Sequence, residues 1–209
     1  LYYRALYCID KLCQAGDVDG ERYRLAAQKV KNSINDILWD EQKGYYVNYV
    51  DGDFIEDNLS VDTVLVYLFG ISNEVRSNRM LDAMENLLET KNNQLQEAGD
   101  YGVMCVYPFY KGVYSSYGKS SQDYEYHNGG NWPYWSAIYA YAKFLAGREW
   151  RYALESWFVY NLERGIFTPV EYFSPCRKSG STLQAWSGAA AFTLDFIDKD
   201  SFFAPNHLK

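Results

Sequence analysis

The sequence offers few groups that could hold a metal ion. Its four cysteines form no CxxC pair and have no set of histidines nearby, so we expect no zinc site. Cys8 and Cys13 lie five positions apart on what reads as one helix, which places them on different faces and argues against a disulfide between them. Reduced thiols are usual in the cytoplasm, and we therefore expect a cytoplasmic protein.

Long apolar segments and an excess of positive charge are also missing. No apolar run approaches 18 residues and no signal peptide is visible, so we expect no membrane-spanning segment. The formal net charge of −7, with a pI of about 4.9, predicts neither nucleic acid nor an anionic membrane as a partner. The 209 residues are enough for one domain with a core that excludes solvent.

Aromatic residues are what the chain has in excess. They make up 18% of the sequence, with 21 tyrosines and 6 tryptophans. One interpretation is a large aromatic core. Another is a pocket lined with flat rings, because Tyr and Trp offer a ligand both an apolar face and a polar tip. Composition alone leaves both interpretations open.

Hydrophobic periodicity predicts a helical fold. Apolar residues recur at helical spacing, and glycines such as Gly16 and Gly70 follow the ends of several segments. Small residues at positions where helices must approach closely favour pairs of inner and outer helices in a ring, with their loops gathered at one end. Seven helices are predicted, at residues 1–15, 21–38, 60–69, 74–90, 133–146, 149–164 and about 182–197.

Two stretches of the chain are predicted to be non-helical. Residues 44–50, GYYVNYV, alternate as in a strand, and Asp51-Gly52 directly after them predicts a hairpin turn. The region 99–130 is rich in Gly, Ser and Tyr and has no helical period. A loop of that length in a compact domain is usually functional or disordered, and its aromatic content favours an ordered functional loop.

Residues 124–135, YEYHNGGNWPYW, contain the first candidate binding residues. His127 and Asn128 can donate and accept hydrogen bonds toward sugar hydroxyls, and Trp132 can stack on the apolar face of a sugar ring. The two glycines allow backbone amides to approach a ligand closely, and the helix that follows begins with unpaired N–H groups. The alternative is that the glycines form only a tight turn and that His127 is an ordinary buried imidazole.

Glu171 is the candidate for acid–base chemistry. It lies in an extended segment between Pro169 and Pro175, and a stiff backbone suits a general base whose geometry must be fixed. Gln184 and Trp186 are predicted in the first turn of the last helix, where their side chains face the loop end of the ring. The alternative is that Glu171 is a solvated loop residue.

The order of these motifs resembles a known group of enzymes. YHNGGNWP, followed about 40 residues later by PVEYFSP and LQAWSGAAA, is similar to inverting glycoside hydrolases with an (α/α)6 toroid. The families concerned are the neutral and alkaline invertases, the glycogen-debranching type of amylo-α-1,6-glucosidase and the processing α-glucosidases. GDYGVMCVYPFYKGV at 99–113, LWDEQKGYYV at 38–47 and DNLSVDTVLVYLFGIS at 57–72 extend the resemblance over nearly the whole chain.

The resemblance implies an all-α fold, an incomplete (α/α)6 toroid with about seven of twelve helices, in which residues 1–209 form the C-terminal part of one catalytic domain. It implies inverting hydrolysis of an α-linked glucoside, such as a maltooligosaccharide, a glycogen-type branch or sucrose, without metal or organic cofactor. Glu171 would be the general base, and the general acid would lie in a missing N-terminal half, roughly 6.5–9.5 Å from the base. The residues expected to contact or support the sugar are His127, Asn128, Trp132, Gln184, Trp186 and, as a possible hydroxyl partner, Asp100.

Other classes of function stay open. A sugar-binding or assembly module without turnover would have an open helix edge, which the missing N-terminal half or a partner chain would have to cover. A phosphorylase on the same toroid would need a basic phosphate pocket near Glu171, which Arg164, Arg177 and Lys178 could supply. A lyase would instead use a Tyr or His base without paired carboxylates.

Overall fold

The computed structural model describes residues 1–110, 122–176, 179–188 and 193. Regular structure in these ranges is mainly helical, as predicted. The α-helices are α1 (Tyr2–Ala15), α2 (Glu21–Ser33), α3 (Val64–Leu68), α4 (Glu74–Leu87), α5 (Pro133–Leu145) and α6 (Arg151–Glu163). The strands are β1 (Trp39–Asp40), β2 (Tyr45–Tyr46), β3 (Tyr49–Asp51), β4 (Phe54–Glu56), β5 (Leu59–Ser60) and β6 (Val106–Tyr107).

The first six predicted helices are confirmed. Helix α2 continues into a π-helical turn at Ile34–Leu38, which accounts for the predicted extension to residue 38. Helix α3 is preceded by a 3₁₀ turn at Val61–Thr63, so the helical segment predicted at 60–69 changes its geometry along its length. Helix α5 begins at Pro133, a residue that lacks the N–H that a first helical turn leaves unpaired.

The start of the seventh predicted helix is wrong. Residues 182–184 are not helical, and a short 3₁₀ helix forms at Ala185–Gly188 instead. The reason is visible in the backbone: the amide of Gln184 donates to the carbonyl oxygen of Pro169, at 3.0 Å, and ties the chain to the segment around Glu171. The remaining positions of this predicted helix, apart from Thr193, lie outside the described residues, as does the part of the predicted long loop at 111–121.

The chain divides into two compact units. The first contains Leu1–Asp57 and Leu65–Met80, and the second contains Asn58–Val64 and residues 81–209. In the first unit, α1 packs on α2. Asn35 joins the end of α2 to its surroundings, because its amide nitrogen donates to the carbonyl of Ile71, at 3.0 Å, and its amide oxygen accepts from the hydroxyl of Tyr46, at 2.7 Å.

The predicted hairpin exists, but its turn lies one residue later than predicted. Strand β3 pairs with β4, and Asp51 lies opposite Phe54, so the turn residues are 52 and 53 rather than 51 and 52. Gly52 has a φ of 56°, a left-handed conformation that glycine adopts without steric cost. The preceding residues of the alternating stretch form β2, which pairs with β1. The stretch 44–50 therefore contributes to two hairpins.

In the second unit, a series of backbone pairings brings distant segments side by side. Strand β5 pairs with β6, and the amide of Cys105 donates to the carbonyl of Gly130, at 2.9 Å. Asn131 and Phe173 then exchange two backbone hydrogen bonds of 2.8 and 2.9 Å. These pairings place the HNGG turn next to the segment that contains Glu171, although the two are about 40 residues apart in sequence.

Candidate active site

The Glu171 segment is held on both sides by backbone hydrogen bonds. On one side, Phe173 pairs with Asn131. On the other, the amide of Gly180 donates to the carbonyl of Tyr172, at 3.0 Å, and the amide of Glu171 donates to the carbonyl of Ser181, at 2.8 Å. The extended backbone predicted around Glu171 is therefore observed, and its position is set by hydrogen bonds to both neighbouring segments.

The Glu171 carboxylate is half-buried and lies against Gly180. The backbone amide of Ser181 donates to its Oε2 at 3.2 Å. A Cβ atom at position 180 would lie 2.3 Å from Oε2 and 2.6 Å from the Glu171 Cβ, which no real structure tolerates without a shift. Glycine at position 180 is thus required for the observed position of the carboxylate.

Three aromatic side chains are stacked beside Glu171. The ring centroids of His127 and Trp132 are 4.7 Å apart and the planes are nearly parallel, at 7°. Tyr172 also stacks on Trp132, with ring centroids 5.4 Å apart and an interplanar angle of 26°. The Trp132 indole N–H donates to the carbonyl of Tyr126, at 3.0 Å, which fixes the orientation of the ring. The structure therefore gathers His127, Trp132 and Glu171 into one place.

The pKa of His127 is affected both by burial and by the nearby Glu171 carboxylate. Burial lowers the pKa of the His127 imidazole below its usual 6.5, because the charged form loses solvation. The negative charge of Glu171 acts in the opposite direction and raises the same pKa, since it stabilises the imidazolium. Burial has the larger effect, so His127 is neutral at pH 7 and keeps one donor and one acceptor nitrogen.

A cavity of about 370 Å³ opens beside this stack. We call it the aromatic cavity; its lining residues are His127, Trp132, Tyr134, Trp135 and Trp186. The Trp186 side chain is 52% exposed, whereas Trp132 is 8% exposed, so one indole forms the wall and the other lies at the mouth. Rings of this kind present apolar faces with polar edges, which suits the alternating CH and OH groups of a sugar.

The other predicted site residues have different surroundings. Asn128 is fully buried; its amide oxygen accepts from the backbone N–H of Tyr110, at 2.7 Å, and its amide nitrogen donates to Asp123, at 3.4 Å. These bonds hold the loop, and a direct sugar contact by Asn128 stays a prediction. Gln184 is half-buried and lies next to the Glu171 segment through the backbone bond to Pro169.

Asp100 is not brought to the aromatic cavity. Its carboxylate accepts from the hydroxyls of Tyr152, at 2.5 Å, and Thr90, at 3.1 Å, and it lines a separate cavity. The two glycines of the HNGG turn also differ from the role expected of them. A Cβ at Gly129 would lie 2.5 Å from the Phe109 ring, and a Cβ at Gly130 would lie 2.6 Å from a backbone carbonyl, so both are needed for the packing of the turn itself.

The sequence interpretation missed several aromatic residues of this site. Tyr172 and Tyr126 flank Trp132, and Tyr134 and Trp135 line the cavity that follows it. The signal was present in the motifs themselves, because each of these residues lies within two positions of a predicted site residue or of Pro133. Aromatic residues that flank a predicted ligand contact therefore belong among the candidates.

Three further observations concern membrane spans, metal ligands and the cysteines. None of the helices in the described ranges is both long and apolar enough to span a lipid bilayer. Within the same ranges, no three His, Cys, Asp or Glu side chains come together in a way that would hold a metal ion. All four cysteines lie in described segments and are unpaired, as predicted for Cys8 and Cys13.

Comparison with known proteins gives a fold and a family. The structure is similar to a GH78 family rhamnosidase of Bacillus sp. GL1, with a TM-score of 0.64 and 20% sequence identity over 92% of this chain. The chain spans 18% of the length of that rhamnosidase, and at this identity the similarity establishes a shared glycosidase-like helical fold alone. No curated protein sequence matches the chain. The sequence pattern of the family described as amylo-alpha-1,6-glucosidase matches residues 1–193, and the chain therefore belongs to the amylo-α-1,6-glucosidase family of glycoside hydrolase-like proteins.

Proposed function

We propose that these residues form the base-bearing, C-terminal part of an (α/α)6 catalytic domain that hydrolyses α-linked glucosides with inversion. The observation that carries the proposal is the position of the Glu171 carboxylate, held by the Ser181 amide beside the His127–Trp132 stack. Glu171 is close enough to His127 for its charge to affect the pKa of the imidazole, and an inverting glycosidase needs such a carboxylate near the bound sugar to activate water. Membership of the amylo-α-1,6-glucosidase family supports the same chemistry.

In this mechanism Glu171 acts on a water molecule. As the water oxygen attacks the anomeric carbon, the Glu171 carboxylate accepts one of its protons, and the glycosidic C–O bond breaks. A carboxylic acid protonates the leaving oxygen. We place this general acid in a part of the protein beyond the present 209 residues. A separation of about 6.5–9.5 Å between the two carboxyl groups leaves room for the water.

The aromatic cavity would hold the sugar that reacts. Trp132 is held by its hydrogen bond to Tyr126 and by the stacked rings of His127 and Tyr172, so it would form a rigid wall of the sugar site. His127 stacks on Trp132 and, being neutral, can exchange hydrogen bonds with sugar hydroxyls as donor and as acceptor. Trp186 at the mouth is placed to contact the neighbouring sugar or the leaving group. None of these roles requires a metal or an organic cofactor.

The stereochemistry of the product tests this proposal. The full-length protein should be incubated with maltotriose, isomaltose, sucrose and p-nitrophenyl α-glucoside, with p-nitrophenyl α-rhamnoside included because the structural neighbour is a rhamnosidase. Proton NMR recorded within minutes should show β-glucose appearing before mutarotation. Each substrate should also be tested with and without inorganic phosphate.

Each alternative predicts a different outcome. If α-glucose appears first, the enzyme retains configuration and Glu171 is not an inverting base. Formation of a sugar phosphate that depends on added phosphate would identify a phosphorylase, and an unsaturated sugar product would identify a lyase. If sugars bind but none is cleaved, the protein is a binding module and the hydrolytic proposal fails.

A further inference from the structure

A second cavity lies in the same unit and is larger than the aromatic cavity. Its volume is about 450 Å³, within the range of pockets that hold small ligands. One face of α6 lines it, through Ser156, Val159, Tyr160 and Glu163, which follow the i, i+3, i+4, i+7 spacing of a helix face. Ser174 of the segment that follows Glu171 lies on the opposite wall. We call this the hydroxyl cavity.

Two buried hydroxyl groups in its lining are unsatisfied. Tyr160 is 9% exposed and Ser174 is 2% exposed, and among the described residues neither hydroxyl has a hydrogen-bond partner. A buried polar group without a partner is costly, so native structures rarely keep one without a reason. Two such groups in the walls of one cavity indicate that a ligand with hydrogen-bonding capacity completes them.

The hydroxyl of Tyr160 is held in place by its surroundings. The Tyr160 ring is stacked on Phe173, with centroids 4.1 Å apart and an interplanar angle of 17°, and the Arg164 guanidinium lies over the ring at 4.7 Å. With Phe173 and Arg164 against the ring, the hydroxyl has little freedom to seek another partner. The geometry is therefore preorganised for a ligand rather than adaptable.

The two cavities are separated by the segment that contains Glu171. Tyr172 stacks on Trp132 of the aromatic cavity, and the next residue, Phe173, stacks on Tyr160 of the hydroxyl cavity. Successive side chains of an extended segment point to opposite faces, so residues 172 and 173 form a shared wall with one face toward each cavity. A ligand in the hydroxyl cavity would lie behind the general base without touching it.

The charges of the lining select the class of ligand. Among the described residues of the lining there are three carboxylates, those of Asp100, Glu155 and Glu163, and one guanidinium, that of Arg164, a balance that disfavours phosphates and sugar acids. A neutral polyhydroxylated molecule fits instead, because carboxylates accept from vicinal hydroxyls, the guanidinium donates to them, and the Tyr160 and Ser174 hydroxyls do either. Sugars are the small molecules with this pattern.

We propose that the hydroxyl cavity is a second carbohydrate-binding site that holds a neutral sugar unit without cleaving it. The proposal goes beyond hydrolysis at the aromatic cavity, because it rests on groups that take no part in that reaction. Binding there would keep an oligosaccharide near the catalytic residues between turnovers, and would raise its effective concentration.

The test uses the full-length protein and a thio-linked maltotriose, which resists hydrolysis. Calorimetry should resolve two binding events. Val159→Trp places a large ring at the open side of the hydroxyl cavity and should remove one event, whereas Leu162→Trp, on the same helix but not in the lining, should keep both; these side chains are 50% and 68% exposed, so both variants should fold. Tyr160→Phe and Ser174→Ala should each weaken that event roughly 2- to 12-fold, the effect of one hydrogen bond.

Thermal melting separates a ligand site from a structural role. Each hydroxyl deletion removes an unsatisfied buried group, so the melting temperature should stay the same or rise. A lower melting temperature in both variants would mean that another part of the protein already satisfies these hydroxyls, and would overturn the proposal. So would a single binding event that survives Val159→Trp, or a diamine such as putrescine binding more tightly than the sugar. Two events without any hydrolysis would leave the second site standing while the proposed catalytic function fails.

Discussion

Glu89 and Glu171 are two carboxylates of the second unit with opposite surroundings. Glu89 is 1% exposed and its oxygens accept from the hydroxyl of Tyr139, at 3.1 Å, from the Asn92 amide, at 3.2 Å, and from the ammonium group of Lys143. Burial raises the pKa of Tyr139 well above its usual range, so its hydroxyl stays protonated and available to donate. Glu89 thus has a donor for each oxygen and a counter-ion.

Glu171 is half-buried, and in the described part of the chain we find one donor to its carboxylate, the Ser181 amide. A carboxylate has about four lone-pair positions, and in the proposed reaction others of these would bind the water. The contrast is between an acid saturated by hydrogen bonds and the acid that we propose as the general base. Glu89, two residues beyond the end of α4, is bonded to Tyr139 and Lys143 of α5, while Glu171 is positioned by the backbone hydrogen bonds of its segment.

The largest effect should follow removal of the charge at Glu171. Glu171→Gln keeps the side-chain size, and its amide oxygen can still accept from Ser181, so the fold should be unchanged. Loss of a general base lowers kcat by about 10²- to 10⁴-fold. The measurement is kcat of the full-length protein on its best α-glucoside, together with its melting temperature. Near-normal turnover would show that another group activates the water.

Glu89→Gln should show the reverse pattern. The change leaves the ammonium group of Lys143 buried with weaker partners, and breaking a buried ion pair costs about 3–5 kcal/mol of unfolding free energy. The low end is expected, because Glu85 still lies 3.4 Å from Lys143. Urea unfolding measures the loss, and kcat per folded molecule should be unchanged.

The double variant Glu89→Leu with Lys143→Met provides the control for that loss. Replacing both charges by apolar groups leaves no uncompensated ion, so it should be more stable than Glu89→Gln alone. Equal or greater destabilisation in the double variant would mean that the loss in Glu89→Gln does not come from an uncompensated buried charge. The different behaviour of Glu89 and Glu171 could then not be explained by how fully each carboxylate is hydrogen-bonded.

A smaller effect on turnover should come from Gly180→Ala. A Cβ at this position lies 2.3 Å from the Glu171 Oε2 atom and must displace the carboxylate, and misplacing a reacting group by about 1 Å can cost on the order of 10²-fold in rate. We expect kcat to fall roughly 10- to 100-fold, less than in Glu171→Gln because the base is still present. The matched control is Gly188→Ala, where the nearest atom of the described residues to the new Cβ is 4.0 Å away and kcat should not change. Equal losses in both variants would show that the segment, not the carboxylate, is disturbed.

How much the sequence could predict depends on whether the signal was local. Helices α1, α5 and α6 were predicted to within two residues at each end, because periodicity and a nearby glycine or proline mark their limits. The exact turn position and the division of residues 44–50 between two hairpins were not predicted, since an alternating stretch is compatible with pairing to either neighbour. Buried Lys143 was also beyond reach, because its burial depends on Glu89, 54 positions earlier in the chain.

The candidate site shows the same division. Glu171 and Trp132 could be predicted to share a site because both lie in motifs that resemble one family. Asp100 was assigned to the same site by its position in a loop, but the structure places it in the other cavity, where it accepts from Tyr152. Sequence distance does not tell on which side of the Glu171 segment a loop residue lies. The position of Asp100 is fixed by its hydrogen bonds from Thr90 and from Tyr152, which is 52 positions away in sequence.

The smallest predicted effect is the most direct test that Glu171 and His127 share a site. The pKa of His127 should lie below 6.5, and in Glu171→Gln it should fall further, because the charge that stabilises the imidazolium is gone. Glu89→Gln should leave it unchanged. The chain has two histidines, so a His127→Gln variant assigns the NMR signal. Because the folded pKa lies below the unfolded one, the unfolded chain binds more protons between those two values, and stability falls as the pH drops from 6.5 toward the folded pKa. If the pKa of His127 is the same in Glu171→Gln as in the unmodified protein, the two side chains do not interact, and the proposed site loses its electrostatic support.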